Sequence, residues 1–252
     1  MIQPNPSFEL SGKVAVVVGG AGHLCSVIAN ALHRVGARVV IMDLLQPQFD
    51  WLDGKAASFQ ACDVTSRAGV MTCCEEIVRR LGRVDILING AGTNAPTPFL
   101  QISEEEIQRI LNVNLVSLIY TSQAFGETML QQGSGSIINF ASASSGPPLS
   151  KAFVYSMAKA GVVSITQNLA REWAPNGVRV NALRPGFFPT EWSMKNFIDE
   201  ERKTKILGHT PMARFGQPEE LVGAVLWLAS DASSFVTGAI IPIDGGFTAM
   251  TI

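Results

Sequence analysis

Charge is scarce in this chain. Only 16% of its 252 residues are charged, and the formal net charge is −2. No block of lysine and arginine is present, so nothing suits a phosphate backbone and no nucleic-acid partner is expected. Long hydrophobic runs are also missing. Stretches such as Leu221 to Ala229 fall well short of a membrane span. The start, MIQPNPSFEL, has neither a basic region nor an apolar core, so no signal peptide is expected. Cysteine is sparse: Cys25, Cys62, Cys73 and Cys74 show no metal-ligand spacing, and no metal is expected. Cys73 and Cys74 are adjacent in a segment that reads as helix, where a bond between them would be strained. Reduced thiols in a cytoplasmic protein are the simplest account. Internal repeats, low-complexity tracts and long linkers are absent.

What is present is apolar side chain, 47% of the residues, enough to build a large core in one domain. Residues 1 to 12 read as a polar tail. Lys13 to Val18 is a continuous β-branched run, the pattern of a strand buried on both faces of a parallel sheet. Gly19-Gly20-Ala21-Gly22 is a glycine turn. A helix follows from about His23 to Val35, stopped by Gly36. Arg38 to Met42 is the next strand, with Asp43 at its end, 21 residues beyond Gly22. Strand, glycine turn, helix, strand and acid make the dinucleotide-binding arrangement. Glycines let backbone approach a pyrophosphate, and the helix N-terminus offers free N–H groups. Gly19, Gly22, His23 and Leu24 are the cofactor candidates of this turn, although His23 could equally point to solvent. An Asp43 carboxylate can accept from both ribose hydroxyls of NAD and would repel the extra phosphate of NADP. No Arg or Lys lies in the turn or directly after Asp43, so NAD is favoured. The plainer alternative is a solvated Asp that merely ends a strand.

Further strands are expected at Ala56–Ala61, Val84–Ile88, Ser136–Phe140, Val178–Leu183 and Ile240–Asp244. Thr65 is a candidate cap for a helix running to Leu81. Ser103 with Glu106 has the form of a capping box, opening one long helix from about Ser103 to Leu130. Pro218 sits near the first turn of another helix.

The stretch from Ser142 to Lys159, SASSGPPLSKAFVYSMAK, carries the chemistry. It leaves a strand, crosses a Ser/Gly/Pro loop and enters a helical pattern. Tyr155 and Lys159 are four apart and share a helix face. An ammonium beside a phenol is expected to lower the Tyr pKa from about 10, making Tyr155 a proton donor and acceptor near neutral pH. Ser142 could hydrogen-bond the same substrate oxygen.

Ser142, thirteen residues before Tyr155, completes a pattern that resembles the Ser…Tyr-x-x-x-Lys site of the short-chain dehydrogenase/reductase family. Asn89-Gly90-Ala91-Gly92 resembles that family's N-N-A-G, with Gly90 for the second Asn. Pro185-Gly186-Phe187-Phe188-Pro189-Thr190 resembles its P-G-x-x-x-T. The glycine motif T-G-x-x-x-G-x-G is only partly kept: Gly19 matches, Val18 replaces the Thr, and His23 and Cys25 stand at the second and third glycines. The likeness covers nearly the whole chain. It implies catalytic roles for Asn114, Ser142, Tyr155 and Lys159, with Asn114 holding a water that leads to Lys159. Asp63 and Val64 would bracket adenine, backbone at Asn89, Gly90 and Ala91 would pass the cofactor ribose, and Pro185, Gly186, Phe188 and Thr190 would meet the nicotinamide.

These observations lead to an α/β fold of Rossmann type, a doubly wound, seven-stranded parallel sheet with helices on both faces. Residues 1–252 form a single domain, with a polar lid and specificity segment at about 190–212. The expected activity is NAD-dependent interconversion of a secondary alcohol and a ketone on a small molecule. GGAGHL, PGFFPTE and HTPMARFG resemble the sugar-acid and polyol branch. Asn94, Ser142, Ser144 and Tyr155, with Ser145, Lys151 and the Glu191–Lys195 stretch, suggest a polar substrate pocket. A reductase of hydrophobic or cyclic ketones is the alternative within the class. A non-catalytic dinucleotide sensor, or a lyase or epimerase using transient oxidation, are alternatives outside it. Family likeness and two helices apolar on more than one face suggest a homotetramer.

Overall fold

The computed structural model describes residues 8–250, apart from the side chains of Glu191, Trp192 and Asn196. Seven strands, all parallel, form one sheet: β1 (Val14–Val18), β2 (Arg38–Asp43), β3 (Ala57–Ala61), β4 (Ile86–Asn89), β5 (Gly135–Phe140), β6 (Val178–Pro185) and β7 (Ile240–Ile243). Their spatial order is β3-β2-β1-β4-β5-β6-β7. Among the described residues eight α-helices accompany them: α1 (His23–Arg34), α2 (Arg67–Leu81), α3 (Glu104–Leu111), α4 (Ser117–Gln132), α5 (Phe153–Trp173), α6 (Glu191–Asn196), α7 (Glu200–Gly208) and α8 (Val222–Ala229).

The unbroken apolar run of β1 has a direct explanation. Val14, Val16 and Val18 point into one core with residues of α2, α4 and α5. Ala15 and Val17 point into the other, with residues of α1 and α8. Successive side chains of a strand face opposite ways, so a strand covered on both faces needs an apolar residue at every position. Each such side chain contributes roughly 1.5–3 kcal/mol by leaving water.

Strand order reverses between β1 and β4, and the ends of these strands lie side by side, Val18 opposite Asn89. A crevice forms at such a reversal, just beyond the carboxyl ends of the strands. Gly19, with φ +72, has no room for a Cβ, which would meet the Ala91 nitrogen at 2.8 Å. The glycine turn after β1 and the loop after β4 are thereby pressed together at the floor of the crevice.

Several local expectations change. The helix expected from Ser103 to Leu130 is two helices joined by a wide π-type turn, Asn112–Val116, a feature often found beside functional sites. Ser103 accepts the Glu106 N–H, but the Glu106 carboxylate turns to Thr97 Oγ1 at 2.7 Å; the capping box is half made. Ser66, not Thr65, caps α2, accepting the Gly69 N–H at 3.1 Å. Thr65 is drawn away because both its N–H and its hydroxyl donate to Asp63 Oδ1. Pro218 opens a short 3₁₀ turn, Pro218–Leu221, ahead of α8. No helix among the described residues is long and apolar enough to cross a membrane. No cluster of potential metal ligands occurs among them either.

Candidate active site

A cavity of about 530 Å³ opens at the crevice, within the size range of small-molecule sites. Gly19, Gly22, His23, Leu24 and Gly90 line one end; Ser142, Ser144, Tyr155 and Lys159 line the middle. Pro185 comes in from the end of β6, Gly186, Phe188 and Thr190 from the loop after it, and Asn94 from the loop after β4. Residues scattered over some 170 positions of sequence meet here because their strands end on one edge of the sheet.

Ser142 lies just beyond β5. Its hydroxyl accepts from the Ser144 N–H at 3.2 Å and lies 3.1 Å from the Ser144 hydroxyl. With its lone pairs so engaged, its proton is free to be donated, and Ser142 favours the ionised form of the Tyr155 phenol beside it. Lys159, 4% exposed, donates to the Phe140 carbonyl at 2.7 Å and lies 5.5 Å from the Tyr155 ring centre.

The electrostatics differ from the sequence expectation. Burial raises the Tyr155 phenol above its ordinary value, and the neighbouring Ser142 only partly counters this. Burial also pushes Lys159 down, to about 8. The anticipated lowering of the tyrosine by the lysine is therefore not the outcome. Both groups lose hydration, and that penalty is the largest cause of each shift.

Asn114 is 2% exposed and does not line the cavity. Its amide donates to the Thr93 and Ile110 carbonyls at 2.7 and 2.8 Å, and its oxygen faces the Thr93 N–H. It holds the loop after β4 against the π-type turn. A Cβ on Gly92 would reach Asn114 Oδ1 at 3.0 Å and come within 3.9 Å of Lys159 Nζ, so this loop carries no side chain where Asn114 and Lys159 converge.

For Asn89 the expectation concerns the backbone at the end of β4. Its side chain is buried in a polar network, donating to Asn139 Oδ1 at 2.9 Å and accepting from Thr121 Oγ1 at 2.7 Å. Asn139 passes the chain on to Thr166. This side chain braces the sheet between α4 and α5 and contacts no cavity. Asp63 and Val64 also lie outside the cavity wall: the Asp63 carboxylate closes a local turn with Thr65, while Val64 packs on the core.

Lys151 and Ser145 do not line the cavity. Lys151 meets Asp199 at 3.4 Å, and the Ser145 hydroxyl donates to the Ser142 carbonyl. Leu149, Phe187, Phe197 and Ile198 stand in the wall instead, so the pocket is more apolar than the sequence suggests. Thr190 spends its hydroxyl capping α6, accepting the Ser193 N–H at 3.0 Å. Glu191 carries a side chain outside the described residues.

Two features escaped sequence reasoning. The first explains the departures from the family glycine pattern. A Cβ on Gly90 would run into Cys25 Sγ. Cysteine at the third glycine position is accommodated because the residue it faces, 65 places later, is glycine. The thiol is 3% exposed and burial pushes it to about 12, so it is an inert filler. The second is Arg202, which reaches the cavity from α7.

The turn is suited to a dinucleotide. Gly22 caps α1 without a side-chain bond, so the first N–H groups of that helix remain available to an anion. Asp43 accepts from the Ala21 N–H at 3.0 Å and the Leu44 N–H at 2.7 Å, one on each oxygen. It is thus fixed beside the turn, and each oxygen keeps accepting capacity.

A doubly wound sheet with such a turn beside a Ser-Tyr-Lys group defines a dinucleotide-dependent oxidoreductase. The family model described as Enoyl-(Acyl carrier protein) reductase matches residues 21–248. Gluconate 5-dehydrogenase of Gluconobacter oxydans is 35% identical over 248 residues, 96% of each chain. D-threitol dehydrogenase of Mycolicibacterium smegmatis is 36% identical, over 96% of this chain and 95% of its own. The crystal structure of a gluconate 5-dehydrogenase from Burkholderia cenocepacia, in complex with NADP and tartrate, superimposes with a TM-score of 0.91 at 32% identity, covering 97% of this chain and 98% of its own. The chain belongs to the short-chain dehydrogenase/reductase family, beside its sugar-acid and polyol branch. It is an oxidoreductase acting on CH–OH groups.

Proposed function

We propose that this protein is an NAD-dependent dehydrogenase that interconverts a secondary alcohol and a ketone on a polyhydroxylated chain. The observation that carries the reading is that the hydrogen-bonded pair Ser144 and Ser142, Tyr155 and the buried Lys159 line one cavity with an uncapped helix N-terminus. A bound nicotinamide supplies the hydride acceptor. Ser142 holds the substrate oxygen. Tyr155 takes the hydroxyl proton in oxidation and returns it in reduction. Lys159, near 8, titrates close enough to neutrality to pass that proton onward. A phenol with a raised pKa is a proton donor at rest. Oxidation therefore speeds up with rising pH, whereas reduction needs no prior ionisation.

NAD rather than NADP is supported by Asp43 and by its surroundings: Leu44 and Leu45 are exposed and uncharged, with no cation to receive a second phosphate. The segment at 190–212, carrying α6 and α7, serves as the lid and specificity element. Arg202 donates to the Ser150 carbonyl at 2.8 Å, a contact that would seat such a lid on the loop leading to Tyr155. A homotetramer is supported by exposed Phe99, Leu100, Phe153 and Met157, and a cytoplasmic location by four free thiols. The wall of Leu149, Phe197 and Ile198 favours a second reading, reduction of a hydrophobic or cyclic ketone.

The test is Tyr155→Phe. Turnover should fall at least ~10²-fold while NADH still binds by fluorescence titration. Near-normal turnover would defeat the assignment, and binding without turnover of any alcohol in the wild type would favour a sensor.

A further inference from the structure

The lid contributes a cation to the wall of the cavity, and this cation is only half satisfied. Arg202 lies in the first turn of α7. One guanidinium nitrogen, Nη2, donates to the Ser150 carbonyl at 2.8 Å. The other, Nη1, is buried and has no hydrogen-bond partner. Guanidinium N–H groups are strong donors, and leaving one buried and unpaired costs stability. Arg202 is therefore held in place at one edge and unsatisfied at the other.

The charge of the cavity points the same way. Among the described residues that line it, Lys159 and Arg202 carry positive charge and none is an aspartate or glutamate. Lys159 is committed to the Phe140 carbonyl, in the depth of the site beside Tyr155. Of the acids beside it in sequence, Glu201 pairs with Lys205 at 2.6 Å and Glu200 with Lys203 at 3.5 Å, while Asp199 accepts the Arg202 backbone N–H on Oδ1 and faces Lys151 at 3.4 Å with Oδ2. Asp199 does not line the cavity, and it acts on the guanidinium by charge without forming a salt bridge to it. Phe197 and Ile198 surround the cavity side of this wall with apolar surface, which strengthens a charge-assisted hydrogen bond by excluding water.

We propose that Arg202 is a specificity-determining residue that receives the carboxylate of the substrate, so that the preferred substrates are hydroxylated acids rather than neutral polyols. This rests on the dehydrogenase reading and sharpens it. Carboxylate is the matching group because a planar guanidinium offers parallel N–H donors to two oxygens, whereas a neutral hydroxyl accepts one and leaves the charge uncompensated. The apolar wall around Arg202 then contacts the chain of the acid.

The experiment compares length-matched aldonates and alditols, which differ at one end only in carboxylate against hydroxymethyl, in NAD reduction by the wild type and by Arg202→Gln. Wild type should prefer the aldonate. Arg202→Gln should lose ~10–100-fold more in kcat/KM on the aldonate than on the alditol, the range expected for a hydrogen bond to a charged group, any loss common to both being that of the Ser150 contact. Arg202→Lys, which keeps charge but not the fork, should recover part of the loss. NADH affinity should be unchanged. A wild type that prefers the alditol overturns the proposal, as does an equal loss on both members of a pair, which would make Arg202 only a latch to Ser150. A weakened NADH affinity also overturns it, because the guanidinium would then serve the cofactor. A second measurement does not require turnover: D-gluconate titrated into the protein–NADH complex, read by NADH fluorescence. Arg202-dependent binding without oxidation of any alcohol sinks the dehydrogenase reading and leaves the carboxylate site standing. Oxidation of alcohols with gluconate binding indifferent to Arg202 does the reverse.

Discussion

Lys159→Met should make the protein inactive and, near neutral pH, more stable. The ammonium is 4% exposed and held near 8 rather than 10.5. At about 1.4 kcal/mol per pKa unit, keeping it charged in the fold costs roughly 3 kcal/mol. Methionine has a similar length and no charge to bury. Its substitution removes the donor to the Phe140 carbonyl, which costs about 1–2 kcal/mol, leaving a net gain of about 1–2 kcal/mol at pH 6.5. The pH dependence is the stricter criterion. Between about 8 and 10.5 the unfolded chain keeps the lysine proton while the folded chain releases it. The unfolded state then binds more protons, so wild-type stability rises with pH through this window. Other groups titrate alike in both proteins and cancel in the difference. Urea unfolding without cofactor at pH 6.5 and 9.5 should show the advantage of Lys159→Met shrinking by about 2 kcal/mol. An advantage that does not move with pH, or a variant less stable than wild type at pH 6.5, would refute the account of Lys159 as a desolvated cation. The combination of lost activity and gained stability is expected where a strained group serves chemistry.

Gly90→Ala should destabilise the fold by about 1–3 kcal/mol, because its Cβ meets Cys25 Sγ. Cys25→Gly should recover most of that loss, and urea unfolding of the four proteins reads a coupling of about 0.5–3 kcal/mol; strict additivity would show that the two sites do not share the space. Asp43→Ser should lower the ratio of kcat/KM for NAD over NADP at least about tenfold, by removing both the ribose acceptor and the repulsion of a second phosphate. An unchanged ratio would mean that Asp43 only fastens the glycine turn through Ala21.

Much of this architecture was legible without coordinates, for a local reason. A strand buried on both faces leaves an uninterrupted apolar run, as in Val14 to Val18, and a phosphate-binding turn leaves closely spaced glycines. Once seven such strands are recognised in parallel, Asp43, Ser142 and Pro185 must fall along one edge, and Tyr155 with Lys159 must share a helix face. Residue pattern was enough for the sheet, the crevice and the Ser142, Tyr155 and Lys159 group at its middle. Tertiary structure alone decided what depends on the space between distant segments. The fit of Cys25 against Gly90 is a matter of volume, invisible to any spacing rule. The inward turn of Asn89 depends on which of its neighbours could satisfy an amide. The raised phenol and depressed ammonium follow from how much water the folded chain removes around Tyr155 and Lys159. Arg202 reads as one charge among many in a polar segment until α7 brings it over the cavity with an edge unpaired. Periodicity records which face of an element is covered; hydration, volume and pairing are set by what covers it.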